Sequence, residues 1–264
     1  MKRLVAAPDP YRMAPLANQP ISAGRAQVSS IVNAGDFFYV AEGQSNIANF
    51  HRGSYSAAQS GNHCFDNLNG GIYQSQNPML GCNGWGPGSG DDSNMLVRLN
   101  DKLIASGFCS RAIAAPIARG GTSSYDWAYG VCKERVEVMA AWIRLHRIPV
   151  KAILRDQGET DATNSYDAAT VTGYNRAWAQ VWRDNGVTCP IFIAKVSIST
   201  SIALGSPASG AVRLGQANAL SNPLGIYAGP DCDQIGHRYD GVHHDATGSD
   251  LRAAAWQSAI EAFF

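Results

Sequence analysis

Five short apolar runs set the pattern of this chain: Phe37–Val40, Ala112–Ile117, Val150–Leu154, Ile191–Val196 and Gly225–Ala228. Each is too short for a helix and lacks the alternation of a half-exposed strand, so each reads as a strand buried on both faces. Between the runs, apolar residues return at helical spacing. Met95, Leu96, Leu99, Leu103 and Ile104 make one stripe, opened by the capping candidates Asp91, Asp92 and Ser93 and closed by Gly107. Val131, Val138, Met139, Trp142 and Ile143 make a second, ending before Pro149, and Val171, Tyr174, Trp178, Val181 and Trp182 a third, stopped by Gly186. Leu251, Ala255, Ala259 and Ile260 mark a fourth. Strands and helices in alternation imply βαβ units, so the expected fold class is α/β, with five parallel strands between helices and ligands at the carboxyl ends of the strands.

Composition fits one such unit. Of 264 residues, 45% are hydrophobic and only 16% charged, which suits a single globular domain that needs neither metal nor disulfide to fold. Twenty-one Lys and Arg balance 21 Asp and Glu, which argues against a nucleic acid or anionic membrane held by bulk charge. No apolar run approaches the ~18–20 residues of a membrane helix, so a soluble chain is expected. The opening Met1–Pro8 has too few apolar residues for a signal-peptide core.

Residues 1–35 contain Pro8, Pro10, Pro15 and Pro20 and no sustained period; they read as an extended arm, a candidate tether to a larger assembly, ahead of a domain at 36–264. The stretch 47–91 is rich in Gly, Asn and Ser without a clear period, and loops of that length are usually functional. Six cysteines, at 64, 82, 109, 132, 189 and 232, include no C-x-x-C pair, which argues against a zinc ribbon or thioredoxin-type site. Their even number suits disulfides, as in a secreted, periplasmic or particle-associated protein, and suits buried free thiols equally. Cys64 and Cys82, which bracket a polar segment, are the pair expected to bridge in an oxidising compartment.

The chemistry-bearing residues follow the strands. The first run leads into Glu42-Gly43-Gln44-Ser45-Asn46, and a turn there presents the Ser45 Oγ and its N–H at the sheet edge; the G-x-S-x-G elbow of α/β-hydrolases is absent, and a serine after glycine alone is an ordinary turn. Asp240-Gly241-Val242-His243 spaces a carboxylate to fold back onto an imidazole Nδ1–H, although an Asp there also suits a helix cap; His244 and Asp245 follow, and Asp245 is the better cap. Gln157-Gly158-Glu159-Thr160-Asp161 offers an amide donor, with Glu159 and Asp161 to order the loop or cap the next segment. Gly120-Gly121 allows backbone N–H groups to approach a ligand closely. Four loops on one edge each supply a different part of an acyl-transfer site.

With these blocks the sequence resembles the SGNH hydrolase superfamily, and within it the branch of sialate O-acetylesterases and related carbohydrate acetylesterases. The matching blocks are Gly43-Gln44-Ser45-Asn46, Gly120-Gly121-Thr122 with Trp127 beyond, Gln157 to Asp161, and Asp240 to His243. The resemblance implies a flavodoxin-like, three-layer α/β/α sandwich, a serine esterase that uses no cofactor or metal, and an O-acetylated saccharide as substrate. It implies Ser45 as nucleophile, His243 as general base and acid, and Asp240 as its orienter. Oxyanion donors would be the Ser45 N–H, a backbone N–H of Gly120 or Gly121, and the Gln157 side chain, with Gln44, Asn46 and Glu159 in support. The wider superfamily has Asn where this chain has Gln157, and Leu154-Arg155-Asp156 replaces the aromatic or His residues expected beside an acyl pocket.

Other readings of the same residues exist. His237, Asp240, His243, His244 and Asp245 are metal-ligand types, but no H-E-x-x-H accompanies them. Glu159 and Asp161 as a glycosidase pair are too close in sequence to straddle a sugar ring obviously. Trp85, Trp127, Tyr55 and Tyr73 suit sugar stacking or loop packing. A non-catalytic carbohydrate-binding or structural domain of the same fold is the non-enzymatic alternative.

Overall fold

The structure is a computed structural model that describes residues 9–29, 31–86, 89, 92–199 and 208–264. Its strands are β1 (Gln27–Ser29), β2 (Phe37–Gly43), β3 (Asn62–Phe65), β4 (Ile72–Gln74), β5 (Ala112–Pro116), β6 (Val150–Asp156), β7 (Ile191–Lys195) and β8 (Ile226–Asp231). They form one sheet in the order β1-β4-β3-β5-β2-β6-β7-β8. Every residue of β2 and β5 is buried, as strands sandwiched between helices require. All five expected strands are present as β2, β5, β6, β7 and β8, in parallel. The sheet is wider than the expected five strands: β3 adds a sixth parallel strand beside β5, β4 runs antiparallel to it, and β1 closes that edge. These additions are only three or four residues long and carry polar residues such as Asn62, His63 and Gln27, so they leave no apolar run.

The helices are α1 (Leu96–Ala105), α2 (Ser124–Ala128), α3 (Lys133–His146), α4 (Glu159–Thr163), α5 (Ala168–Asp184), α6 (Gly210–Ala219) and α7 (Ala246–Glu261). Alternate β2 residues point to opposite layers. Phe37, Tyr39 and Ala41 join Leu96, Leu99 and Leu103 of α1 and Trp256 and Ile260 of α7. Phe38 and Val40 join Met139 and Trp142 of α3 and Trp178 and Trp182 of α5. The result is a three-layer α/β/α sandwich.

Helix ends differ in part from expectation. Asn94, not Ser93 or Asp92, accepts from the Leu96 N–H at 2.9 Å; Ser93 instead pairs with the His51 backbone and Asp92 accepts from the Trp85 N–H, while Asp91 lies outside the described residues. Asp245 caps α7 as expected, accepting from the Gly248 N–H at 2.9 Å. Yet α7 buries Arg252, Ala253, Trp256 and Ile260 and leaves Leu251 exposed. Val131 is likewise exposed and precedes α3.

The described part of the N-terminal segment lies against the domain. β1 pairs with β4, Tyr11 packs edge-on to Trp142 at 4.7 Å, and Arg25 donates to the Pro78 carbonyl at 2.5 Å. The expected Cys64–Cys82 bridge is not formed, and all six cysteines are free thiols. Cys64 and Cys82 are both buried, their sulfurs facing the Phe65 and Met79 carbonyls, and burial pushes the Cys64 thiol up to about 12. Among the described residues no helix is long and apolar enough to cross a membrane.

Candidate active site

Parallel strands bring the loops that follow them to one edge, and there β2, β5 and β6 deliver three of the four sequence blocks. Gly43 ends β2 at φ +139°, and a Cβ on it would sit 1.9 Å from the Asp156 carbonyl oxygen. Only glycine lets the chain turn that close to β6. The Gln44 carbonyl then accepts from the Ile47 and Ala48 N–H groups at 3.1 and 3.0 Å, closing a tight turn that carries Ser45. The Ser45 N–H has no protein partner among the described residues.

His243 stands on the loop before α7. Its Nδ1 lies 2.6 Å from Asp240 Oδ2, while Asp240 Oδ1 accepts from the His243 and Val242 N–H groups at 2.7 and 2.9 Å. Burial pushes the Asp240 carboxyl up, but these hydrogen bonds outweigh it and hold the group below its usual value. An ionised acceptor there fixes the proton on Nδ1 and leaves Nε2 as the basic nitrogen. Aromatic rings hem in the imidazole: Phe50 is stacked at 5.7 Å, Tyr239 at 6.1 Å, and Trp85 stands edge-on at 5.5 Å. Trp85 Nε1 donates to the Tyr239 hydroxyl, which donates to the Phe50 carbonyl.

Ser45 and His243 line one cavity of about 340 Å³, together with Gln44, Phe50, Trp85, Gly120, Gly121, Glu159, Thr160, Thr163, Ser199 and Val242. Among the described residues Ser45 Oγ and His243 do not hydrogen-bond; such contacts often close only when substrate is bound. Asn46 joins their loops, its Nδ2 donating to Glu159 Oε1 at 2.7 Å and to the Val242 carbonyl at 3.1 Å. Its Oδ1 accepts from His51 Nε2 at 3.3 Å, and His51 Nδ1 accepts from Ser249 Oγ at 2.9 Å, so His51 is a neutral buried tautomer. Burial, with Arg252 and His243 nearby, pushes the His51 pKa well down.

The glycine turn divides its donors. The Gly120 N–H is given to Asn83 Oδ1 at 2.9 Å, whereas the Gly121 N–H, at φ +74°, has no protein partner among the described residues. A Cβ on Gly120 would meet the Phe50 ring at 2.7 Å. Gln157, expected as an oxyanion donor, is committed elsewhere. Its Nε2 donates to Gln44 Oε1 at 3.1 Å and to the Thr122 carbonyl at 2.6 Å, and it is not among the residues lining the cavity. It fastens three loops together.

No protein-family profile and no curated protein matches this chain. Solved structures do. An Arabidopsis thaliana protein aligns with a TM-score of 0.61 at 18% identity, over 87% of this chain and 99% of that one. A carbohydrate acetylesterase from Xanthomonas citri aligns at 0.56 and 16%, over 86% of this chain, which spans 56% of that protein. A candidate GDSL-like lipase from Parabacteroides merdae aligns at 0.56 and 14%, over 86% of this chain and 96% of that one. This is the SGNH hydrolase fold.

Within the SGNH fold, the four blocks meet at the edge the sequence indicated, with three refinements. Trp127, Tyr55 and Tyr73 do not line the cavity: Trp127 is buried and donates to Thr122 Oγ1, and the Tyr55 hydroxyl donates to Asp101. Of the four aromatic candidates only Trp85 does, and Phe50, which sequence reading passed over as one apolar residue in a polar loop, faces it. His244 is buried, accepting from Arg252 Nη1 at 2.8 Å with its Nδ1 toward the Gly236 carbonyl, and is withdrawn from the cavity. Finally, Arg155 and Asp156 are buried at the end of β6. Arg155 pairs with Glu42 at 2.6 Å and reaches Asn175 on one side, while Asp156 pairs with Arg252 and accepts from Trp256 on the other.

Proposed function

We propose that this chain is a serine esterase that removes O-acetyl groups from a carbohydrate through an acyl-enzyme. The observation that carries the reading is that Ser45 shares a cavity wall with His243, whose Nδ1 is bonded to Asp240 at 2.6 Å. Ser45 Oγ attacks the acetyl carbonyl carbon while His243 Nε2 takes the hydroxyl proton, and Asp240 stabilises the imidazolium. The oxyanion that forms is received by the Ser45 and Gly121 N–H groups. Collapse of the tetrahedral intermediate breaks the bond to the sugar oxygen, which leaves with the proton from His243. Water then attacks the acetyl-Ser45 with His243 again as base, releasing acetate and restoring the serine.

The carbohydrate assignment is supported by the cavity lining, which combines the aromatic residues Phe50 and Trp85 with the hydroxyl-bearing residues Thr160, Thr163 and Ser199. Rings cover the apolar faces of a sugar and hydroxyls meet its rim. The volume, near the lower end for small-molecule sites, suits a small acyl group. We expect kcat/KM to fall steeply from acetyl to butyryl to octanoyl esters, and O-acetylated saccharides to outperform simple alkyl acetates. Steady-state kinetics across that panel tests the assignment. A profile peaking at hexanoyl or longer, with no activity on any acetylated glycan, leaves the serine mechanism but overturns the carbohydrate substrate.

A further inference from the structure

A second aromatic group lies beside the cavity and takes no part in the chemistry above. Tyr125 and Tyr129, one turn apart at α2, Tyr174 on α5 and Tyr166 after α4 form a continuous cluster. Their ring centroids are 5.8 Å apart for Tyr125–Tyr129, 5.6 Å for Tyr125–Tyr174, 6.0 Å for Tyr129–Tyr174 and 5.6 Å for Tyr166–Tyr174. Tyr125 is 46% and Tyr129 58% exposed. None of the four hydroxyls has a protein partner among the described residues. Aromatic rings that gather at the surface while keeping their hydroxyls unspent are suited to a ligand with both apolar faces and hydroxyl edges.

The cluster is continuous with the wall of the cavity. Asp161, on α4 between the cavity residues Thr160 and Thr163, accepts from the Ser124 N–H at 2.6 Å and from Ser124 Oγ at 2.5 Å, which fixes the start of α2. The Asp161 carbonyl accepts from the Tyr166 N–H at 3.1 Å. One residue thus holds the cavity wall, Tyr166 and the helix bearing Tyr125 and Tyr129. Gly121, the proposed oxyanion donor, precedes α2 by two intervening residues.

We infer that this tyrosine cluster is a second binding subsite, which holds a neighbouring stretch of a neutral polysaccharide while one acetylated residue occupies the cavity. The inference rests on the esterase reading above and extends it to a polymeric substrate. Four neutral rings supply no charge for an anionic partner, and the chain as a whole has none to spare. Contacts outside the cavity act on association with the polymer, leaving the attack on a small ester unchanged.

The test compares wild type with the Tyr125→Ser/Tyr129→Ser double variant, both positions being exposed, and with Tyr125→Phe/Tyr129→Phe, which keeps the rings. Substrates are acetylated xylan, acetylated glucomannan and 4-nitrophenyl acetate. We expect the Ser variant to lose roughly tenfold in kcat/KM on at least one polysaccharide, through KM, while aryl acetate hydrolysis and the melting temperature hold, and the Phe variant to recover most of the loss. Affinity electrophoresis of a Ser45→Ala protein in gels containing the same polymers should show retardation that the tyrosine changes abolish. Equal losses on all substrates, or none on the polymers, overturns the inference and leaves the esterase intact. A wild-type dimer that the Ser variant turns into monomer overturns it in favour of contact between copies. If wild type cleaves no ester at all the esterase reading fails, and the gel alone then decides whether the tyrosines bind polysaccharide.

Discussion

Asp240 and Asp245 flank the same pair of histidines yet have different duties. Asp240 fixes the His243 ring at 2.6 Å, whereas Asp245 caps α7 and stands 4.0 Å from His237. Asp240→Asn should therefore cost on the order of 10³–10⁴ in kcat, by favouring the wrong tautomer. Asp245→Asn, a comparable cap, should leave kcat within a few-fold; rate measurements giving the opposite ranking would remove the triad assignment. Glu159 offers a test by pH. Its Oε1 accepts from Asn46 and its Oε2 is buried without a partner among the described residues, so burial, with the Asp156 charge adding to it, pushes the carboxyl up to about 7. A raised carboxyl pKa favours the folded state while the group is neutral, and that contribution is lost as pH climbs from the ordinary value near 4.5 through about 7. Glu159→Gln keeps the neutral form at every pH. Its melting temperature relative to wild type should rise between pH 5 and pH 8, and a constant difference would contradict the assigned burial cost.

At the scale of elements, the strand ends do the positioning. Gly43 brings the β2 turn against Asp156, so Gly43→Ala should leave little folded or active protein, read from soluble yield, circular dichroism and esterase rate. An active, normally melting Gly43→Ala protein would mean that the turn tolerates a shift of β6. The end of β6 sends Arg155 toward α5 and Asp156 toward α7, tying the site to both helical layers. This explains which elements could be read in sequence. β2, β5, β6, β7 and β8 were legible because burial on both faces demands apolar runs. The α7 stripe departs from the sequence pattern because its buried face includes Arg252, whose partner Asp156 lies in a different part of the sequence. The structural role of Gln157 is not legible in sequence, since one of its acceptors, the Thr122 carbonyl, leaves no trace in side-chain identity.

The molecule as a whole gathers four loops, scattered from residue 43 to residue 243, at one edge of a mostly parallel sheet. The fold makes that convergence, while the proposed chemistry rests on the reactivity of a single serine. Labelling with a small organophosphonate, read by intact mass and peptide mapping, tests this most directly. The account predicts one adduct per chain, on Ser45, absent from Ser45→Ala and strongly slowed in His243→Ala. Catalytically competent protein that takes no label, or carries it on another residue while Ser45 stays free, would contradict it.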